Sequence, residues 1–178
     1  MKKIILFFLL ACSVSFAQEI PKKESNSKFF SKEQELKFGT VKLLAGTVFE
    51  LTYEYISSDE FTFGSSILYN FDNQNDFPED FSLTPFARFY YANNGDDDAE
   101  GFFIEGYFKY SAGRYVYNNS DVRDKYNAPS VGLSLGNKWV TDSGFVFETL
   151  IGFGRTLGNT SVAPDTSVRG DLFVGYRF

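Results

Sequence analysis

The sequence predicts an all-β chain that closes as an eight-stranded antiparallel up-and-down transmembrane β-barrel. Three observations carry that reading. From Leu36 onward the apolar residues recur every second position, with no helical stripe longer than two turns. One face of this alternation holds apolar and aromatic side chains without charge, while the other is small, polar or charged. The connections alternate between short and long, as they do when short turns lie on one side of a membrane and long loops on the other.

Composition bounds the function before any motif is considered. The 178 residues suffice for one domain with a core or a small barrel, and 43% hydrophobic content is incompatible with a disordered chain. Aromatic residues make up 19%, with 22 Phe and 11 Tyr, more than a small core needs. A net charge of −6 and an isoelectric point near 4.7 argue against electrostatic binding of nucleic acid, which calls for a basic stripe. The chain has no histidine, which removes the commonest general base, the Ser-His and Cys-His nucleophile pairs and every His-containing metal site. No enzymatic activity, cofactor or metal is therefore expected. No apolar stretch reaches the roughly 18 residues of a membrane-spanning helix.

The elements follow in order. Met1-Lys2-Lys3 is a short basic region and residues 4–11 are an unbroken apolar run. Ser15-Phe16-Ala17 then sets small residues three and one before a cut between Ala17 and Gln18, so residues 1–17 read as a secretory signal peptide. The one cysteine, Cys12, lies inside this segment. Leu9-Leu10-Ala11-Cys12 offers an alternative reading as a lipidation site, but the apolar run is short for one and leaves Ser-Phe-Ala unused. Cleavage at Ala17 removes Lys2 and Lys3, leaving 15 basic residues against 23 acidic, a mature charge of −8. Residues 18–35, rich in charge, Ser and Asn, are expected to form a flexible periplasmic leader, and residues 36–178 the barrel.

Strands are expected at 36–44, 48–57, 60–71, 81–92, 100–117, 129–140, 144–154 and 167–178. Ser57-Ser58-Asp59-Glu60 and Thr141-Asp142-Ser143-Gly144 are built from turn residues, and residues 93–99 make a slightly longer polar turn. Longer polar loops fall at 72–80, 118–128 and 155–166, and a fourth connection falls near 45–47; these four are expected to face outward.

The two faces can be written out. Phe49, Leu51, Tyr53 and Tyr55 oppose Glu50, Thr52 and Glu54; Phe145, Phe147, Ile151 and Phe153 oppose Val146, Glu148, Leu150 and two glycines. Val168, Leu172, Val174, Tyr176 and Phe178 oppose Arg169, Asp171, Phe173 and Arg177. A soluble barrel would turn its apolar face inward, yet an eight-stranded interior is only just wide enough for its side chains to fill. So many aromatics suit lipid better, and the glycines of the polar face suit a crowded lumen. By parity Lys42, Glu50, Glu54, Arg88, Glu105, Lys109, Lys138, Glu148, Arg169, Asp171 and Arg177 point inward, six basic against five acidic. Near-balance predicts mutual pairing, because isolated charges in a narrow interior are costly. Glu54, Arg88, Glu105, Lys138 and Glu148 fall at comparable depth and are expected to form a network. Arg88 should be central, since its fork serves two carboxylates. A catalytic or ion-translocating role for Glu105, Glu148 and Arg88 is the competing reading, and structural pairing is the commoner use of such a cluster.

The closing Val174-Gly175-Tyr176-Arg177-Phe178 resembles the C-terminal signature of bacterial outer-membrane β-barrels. Leu51-Thr52-Tyr53-Glu54, residues 85–91, 101–105 and 130–136, and Gly152-Phe153-Gly154-Arg155 extend the likeness across 36–178. Together they resemble a small outer-membrane β-barrel family of unknown function common in Bacteroidota, akin to OmpX-type and OmpA-type barrels. The resemblance implies location and fold, with Tyr176 and Phe178 read by the barrel-insertion machinery, and outer-membrane lipid as the surrounding partner. It implies no activity. Tyr55 follows the Tyr-Glu pair where relatives often carry an arginine, so Glu54 needs a lumen partner from elsewhere.

Smaller motifs fail on inspection. Asp96-Asp97-Asp98 begins like a calcium loop, but the twelfth position is Tyr107 rather than a bidentate Glu. The Asn-X-Ser triplets in the loops mean little in a bacterial setting, and Gly152-Phe153-Gly154 lies on a strand rather than before a helix. The expected role is envelope structure or surface interaction through the outer loops. The competing roles are a narrow channel for small solutes and a soluble periplasmic barrel that binds an apolar ligand.

Overall fold

The computed structural model describes residues 33–72, 77–92, 99–116, 123–157 and 163–178. Eight strands close on themselves in chain order: β1 (Gln34–Gly39), β2 (Val48–Ile56), β3 (Phe61–Asn70), β4 (Glu79–Ala92), β5 (Gly101–Val116), β6 (Arg123–Val140), β7 (Phe145–Thr156) and β8 (Thr166–Arg177). Every neighbouring pair is antiparallel. The seam joins first strand to last, with Leu36 opposite Tyr176 and Phe38 opposite Val174. Backbone bonds from Gln34 N–H to the Phe178 carbonyl (3.2 Å) and from Phe178 N–H to the Gln34 carbonyl (2.8 Å) finish it. Closure leaves the sheet without an open edge along the seam, which is how an antiparallel sheet avoids unpaired backbone groups.

The wall has the alternation the sequence predicts. Phe145, Phe147, Ile151, Phe153, Val168, Leu172, Tyr176, Phe102, Ile104, Phe108 and Tyr110 stand exposed on the outside. Glu50, Glu54, Arg88, Glu105, Lys109, Lys138, Glu148, Arg169, Asp171 and Arg177 are buried inside. Large inward rings need room, and glycines on adjacent strands supply it. A methyl group on Gly136 would collide with the Phe103 ring and one on Gly132 with the Tyr107 ring, each glycine being the cross-strand partner of that aromatic. At the tight turn between β6 and β7, Gly144 holds φ at 95°, a conformation that a side chain disfavours.

Several boundaries differ from expectation. The first strand begins at Gln34, taking in two residues expected in the leader, and ends at Gly39 rather than 44. Residues Val41–Gly46 instead form a short helix, α1, after which Thr47 turns the chain with φ 59°. The reason is local. Lys42, Leu43, Leu44 and Ala45 are good helix formers, and the Asp171 carboxylate on β8 accepts from the free N–H groups of Val41 (2.8 Å) and Lys42 (3.5 Å). The sixth strand starts at Arg123 rather than 129, because its first residues pair with an equally long β5, Gly113 opposite Tyr126 and Arg114 opposite Lys125. β4 likewise starts at Glu79, two residues before the expected 81, where the Pro78 carbonyl accepts from Arg114 N–H (3.0 Å). The turn at 93–98 and the residues proposed for signal cleavage, Ala17 and Gln18, lie outside the described residues, as does the leader up to residue 32.

Candidate functional site: the charged lumen

Strand register decides which charges meet. Arg88 on β4 lies opposite Glu105 on β5, and Lys138 on β6 lies opposite Glu148 on β7. Glu35 on β1 lies between Glu54 on β2 and Arg177 on β8. These residues therefore stand on one ring of the barrel, and their side chains converge on its axis.

Arg88 is the hub. Its Nε donates to Glu105 (2.8 Å), Nη1 to Glu54 (2.6 Å) and Glu148 (2.9 Å), and Nη2 to the second Glu148 oxygen (2.9 Å). Its guanidinium plane sits 4.4 Å from the ring centres of both Phe86 and Phe103, a cation–π arrangement on either side. Lys138 Nζ donates to Glu54 (2.9 Å) and to both Glu35 oxygens (3.1 and 3.0 Å), 4.8 Å from the Tyr90 ring centre. Glu54 also accepts from Thr62 (2.6 Å) and Tyr90 (3.0 Å), and Glu105 from Ser134 (2.9 Å). The structure thus brings all five charges expected at this depth into one cluster.

Two members were missed. Lys37 pairs with Glu54 and Glu148 and lies 3.1 Å from Glu35, and Glu35 also binds Arg177 (2.6 Å). With Lys37 and Glu35 included, and with Arg177, which was expected inside but not in the network, the ring holds four cations (Lys37, Arg88, Lys138, Arg177) and four carboxylates (Glu35, Glu54, Glu105, Glu148). Counting a strand from 36 to 44 put Lys42 inside and Lys37 outside, whereas Leu36 and Phe38 face out and Lys37 is fully buried. The signal was present: Leu36-Lys37-Phe38 alternates in phase with Glu35.

A second layer lies toward the helix end. Lys42 reaches Glu50 from α1 and lies 3.8 Å from Asp171. Lys109 pairs with Glu79, a carboxylate the sequence reading placed in a loop, and Arg169 contacts Glu105 (3.1 Å) and donates to Ser66 (2.8 Å). The ring charges Glu35, Lys37, Glu54, Glu105 and Lys138 have no solvent exposure. Among the described residues no group of His, Cys, Asp or Glu side chains is arranged to hold a metal ion. Each ring carboxylate is held by cations, and Glu54 and Glu105 by hydroxyls as well.

The two residues read as an insertion signal stand on the outside of the seam. Tyr176 packs edge-on against Phe145 with ring centres 5.8 Å apart, and Phe178 is half exposed.

The closed barrel and its strand order invite comparison with solved structures. It is similar to the N-terminal β-barrel domain of Pseudomonas aeruginosa OprF. The superposition has a TM-score of 0.51 and covers 82% of this chain and 96% of the OprF domain, at 13% sequence identity. At that identity the likeness to the OprF barrel is one of fold: eight antiparallel strands, up and down, closed. No protein-family model matches the chain, and no curated protein matches it significantly.

Proposed function

We propose that this protein is an integral β-barrel of the bacterial outer membrane whose lumen is plugged by its own ion pairs, and that it acts in envelope structure or in surface interaction through the helix-end connections. The observation that carries the reading is the inversion of the wall: aromatic and aliphatic side chains all round the outside, buried charges inside. In water that outer face would be an apolar patch far larger than soluble monomers expose, whereas in lipid it is the expected surface. The OprF-like fold supports the same location. The basic and apolar residues of 1–17, with Ser15-Phe16-Ala17 before Gln18, support export with removal of that segment.

In this reading outer-membrane lipid is the permanent partner and the insertion machinery a transient one, with Tyr176 and Phe178 in the strand it would read. The residue likenesses along 36–178 support a place among the small Bacteroidota barrels. No enzymatic role, cofactor or nucleic-acid partner is proposed. The ring around Arg88 is structural, since each carboxylate is held by at least one cation.

Fractionation of cells, followed by protease treatment of intact cells, tests the location. The protein should sediment with outer membranes and be cut only in the long connections; recovery in the soluble periplasmic fraction would favour a ligand-binding barrel instead. Planar-bilayer recordings test the plug, because steady ion conductance from purified protein would make it a channel.

A further inference from the structure

The barrel wall lacks a strand over part of its height. β1 ends at Gly39, opposite Phe173 of β8, while β8 runs on to Thr166 at the helix end. On the other side, β2 pairs with β1 only as far as Leu51, which leaves residues 48–50 beyond it. The chain crosses this gap through α1, none of whose residues is buried, so the helix does not pack into the space.

Backbone direction makes one side of the gap a binding edge. Even-numbered residues of β8 turn their N–H and C=O groups toward β1: Phe178 exchanges both with Gln34, and the Leu172 carbonyl accepts from Thr40 N–H (2.9 Å). Asp171 closes the series, its carboxylate accepting from Val41 N–H (2.8 Å) and Leu172 N–H (2.7 Å). Beyond it lie Gly170 and Val168. The Val168 carbonyl takes the Lys109 ammonium at 3.3 Å, whereas the Val168 N–H and both Gly170 groups have no partner among the described residues. Gly170, which has only backbone to show, is partly exposed. Two hollows flank this edge. Gly170 and Val168 line a cavity of about 390 Å³ at the helix-end mouth, with Lys42 and Tyr126. They also line a groove of about 460 Å³ on the outside, with Val41, Leu135, Ile151 and Leu172.

Free backbone groups with room on both faces suit another backbone, because a strand sends alternate side chains to opposite faces. We propose that the gap beside β8 takes an extended segment of another polypeptide, which continues the line of β1 antiparallel to β8. Its apolar side chains enter the outer groove and its small polar ones the mouth. A lipid chain would fill the groove but leave the backbone groups unanswered, a costly state for a sheet edge away from water. The proposal does not depend on which compartment the mouth faces.

The test uses the full chain in detergent micelles and, as probe, a short capped peptide of alternating valine and threonine. Amide hydrogen exchange, followed by NMR, reads each backbone group. In the free protein the Gly170 and Val168 amides should exchange at least about tenfold faster than those of Arg169 and Asp171, which pair with β7. The peptide should slow the Gly170 and Val168 amides saturably, by about tenfold or more. Its valines, outward like Gly170 and Val168, would turn their N–H groups to β8, so a peptide N-methylated at the valines should give no protection. Val168→Pro removes one edge N–H without touching the β7 ladder, a position where a strand tolerates proline, and should weaken binding by about tenfold. The methylated peptide leaves the protein unaltered and so decides the matter even if that variant fails to fold. Slow exchange of Gly170 and Val168 in the free protein, no protection by the peptide, or undiminished binding by Val168→Pro would each overturn the proposal. So would equal protection by the methylated peptide, the mark of a groove filled without strand pairing.

Discussion

Arg88 shows how much rests on a single side chain. It makes hydrogen bonds to three carboxylates that are out of reach of water. Removing one partner from a buried ion pair leaves the others uncompensated, at about 3–5 kcal/mol. Arg88→Ala is therefore expected to lower unfolding stability by that order, seen as a shifted urea midpoint in lipid vesicles or as loss of the heat-modifiable band on cold SDS gels. Arg88→Lys should do less harm, since it keeps the charge and loses the fork. A loss from Arg88→Ala within about 0.5 kcal/mol, the range of an ordinary surface change, would contradict the hub role. At this scale the sequence was legible by parity alone, because strands keep it: Glu54, Arg88, Glu105, Lys138 and Glu148 all sit where alternation puts them. Lys37 and Glu35 were hidden by a boundary error, because one phase slip at Thr40 exchanges the two faces of everything before it.

The elements are shaped by space as much as by pattern. Phe103 and Tyr107 occupy the lumen because Gly136 and Gly132 face them across the β5–β6 ladder. Gly136→Ala is expected to cost about 1–3 kcal/mol by overpacking. Adding Phe103→Leu should return only part of that, because the Thr149 carbonyl oxygen also stands where the new methyl would go. Equilibrium unfolding of the two single variants and the double variant measures the coupling; strict additivity would mean that the ring and the glycine do not compete for space. Period-two alternation announced the strands, and the turn residues announced Thr141–Gly144. The helix α1 was not announced, since six residues are too few for a 3.6-residue period to show, and its partner Asp171 lies far along the chain. The extra length of β6 was hidden for a similar reason: polar residues such as Lys125 and Asn127 read as loop until the matching β5 strand pairs with them.

For the whole molecule, the outer wall separates a membrane barrel from a soluble one. Ile151 lies midway along β7 with its side chain exposed. If the wall faces lipid, Ile151→Arg should cost about 2–4 kcal/mol near the bilayer midplane and reduce insertion into vesicles. In a water-soluble barrel the same change would be harmless or would improve solubility. Folding yields in vesicles, compared with those of a lumen-neutral control such as Ser82→Ala, decide between the two. Fold class was readable from the sequence for this reason: the wall pattern repeats in every strand, so errors at individual ends do not alter the total.

The charged ring also bears on assembly. Seven strands contribute a charge, Glu35 and Lys37 from β1, Glu54 from β2, Arg88 from β4, Glu105 from β5, Lys138 from β6, Glu148 from β7 and Arg177 from β8, and β3 adds the Thr62 hydroxyl that donates to Glu54. The full count of four cations and four carboxylates balances only when β8 brings Arg177, because β1–β7 carry three cations against four carboxylates. A chain stalled before its last strand would carry Glu35 without Arg177, with one carboxylate more than it has cations. The ring acts as a lock with its wards spread over all eight strands, engaging only when the last has come round to meet the first.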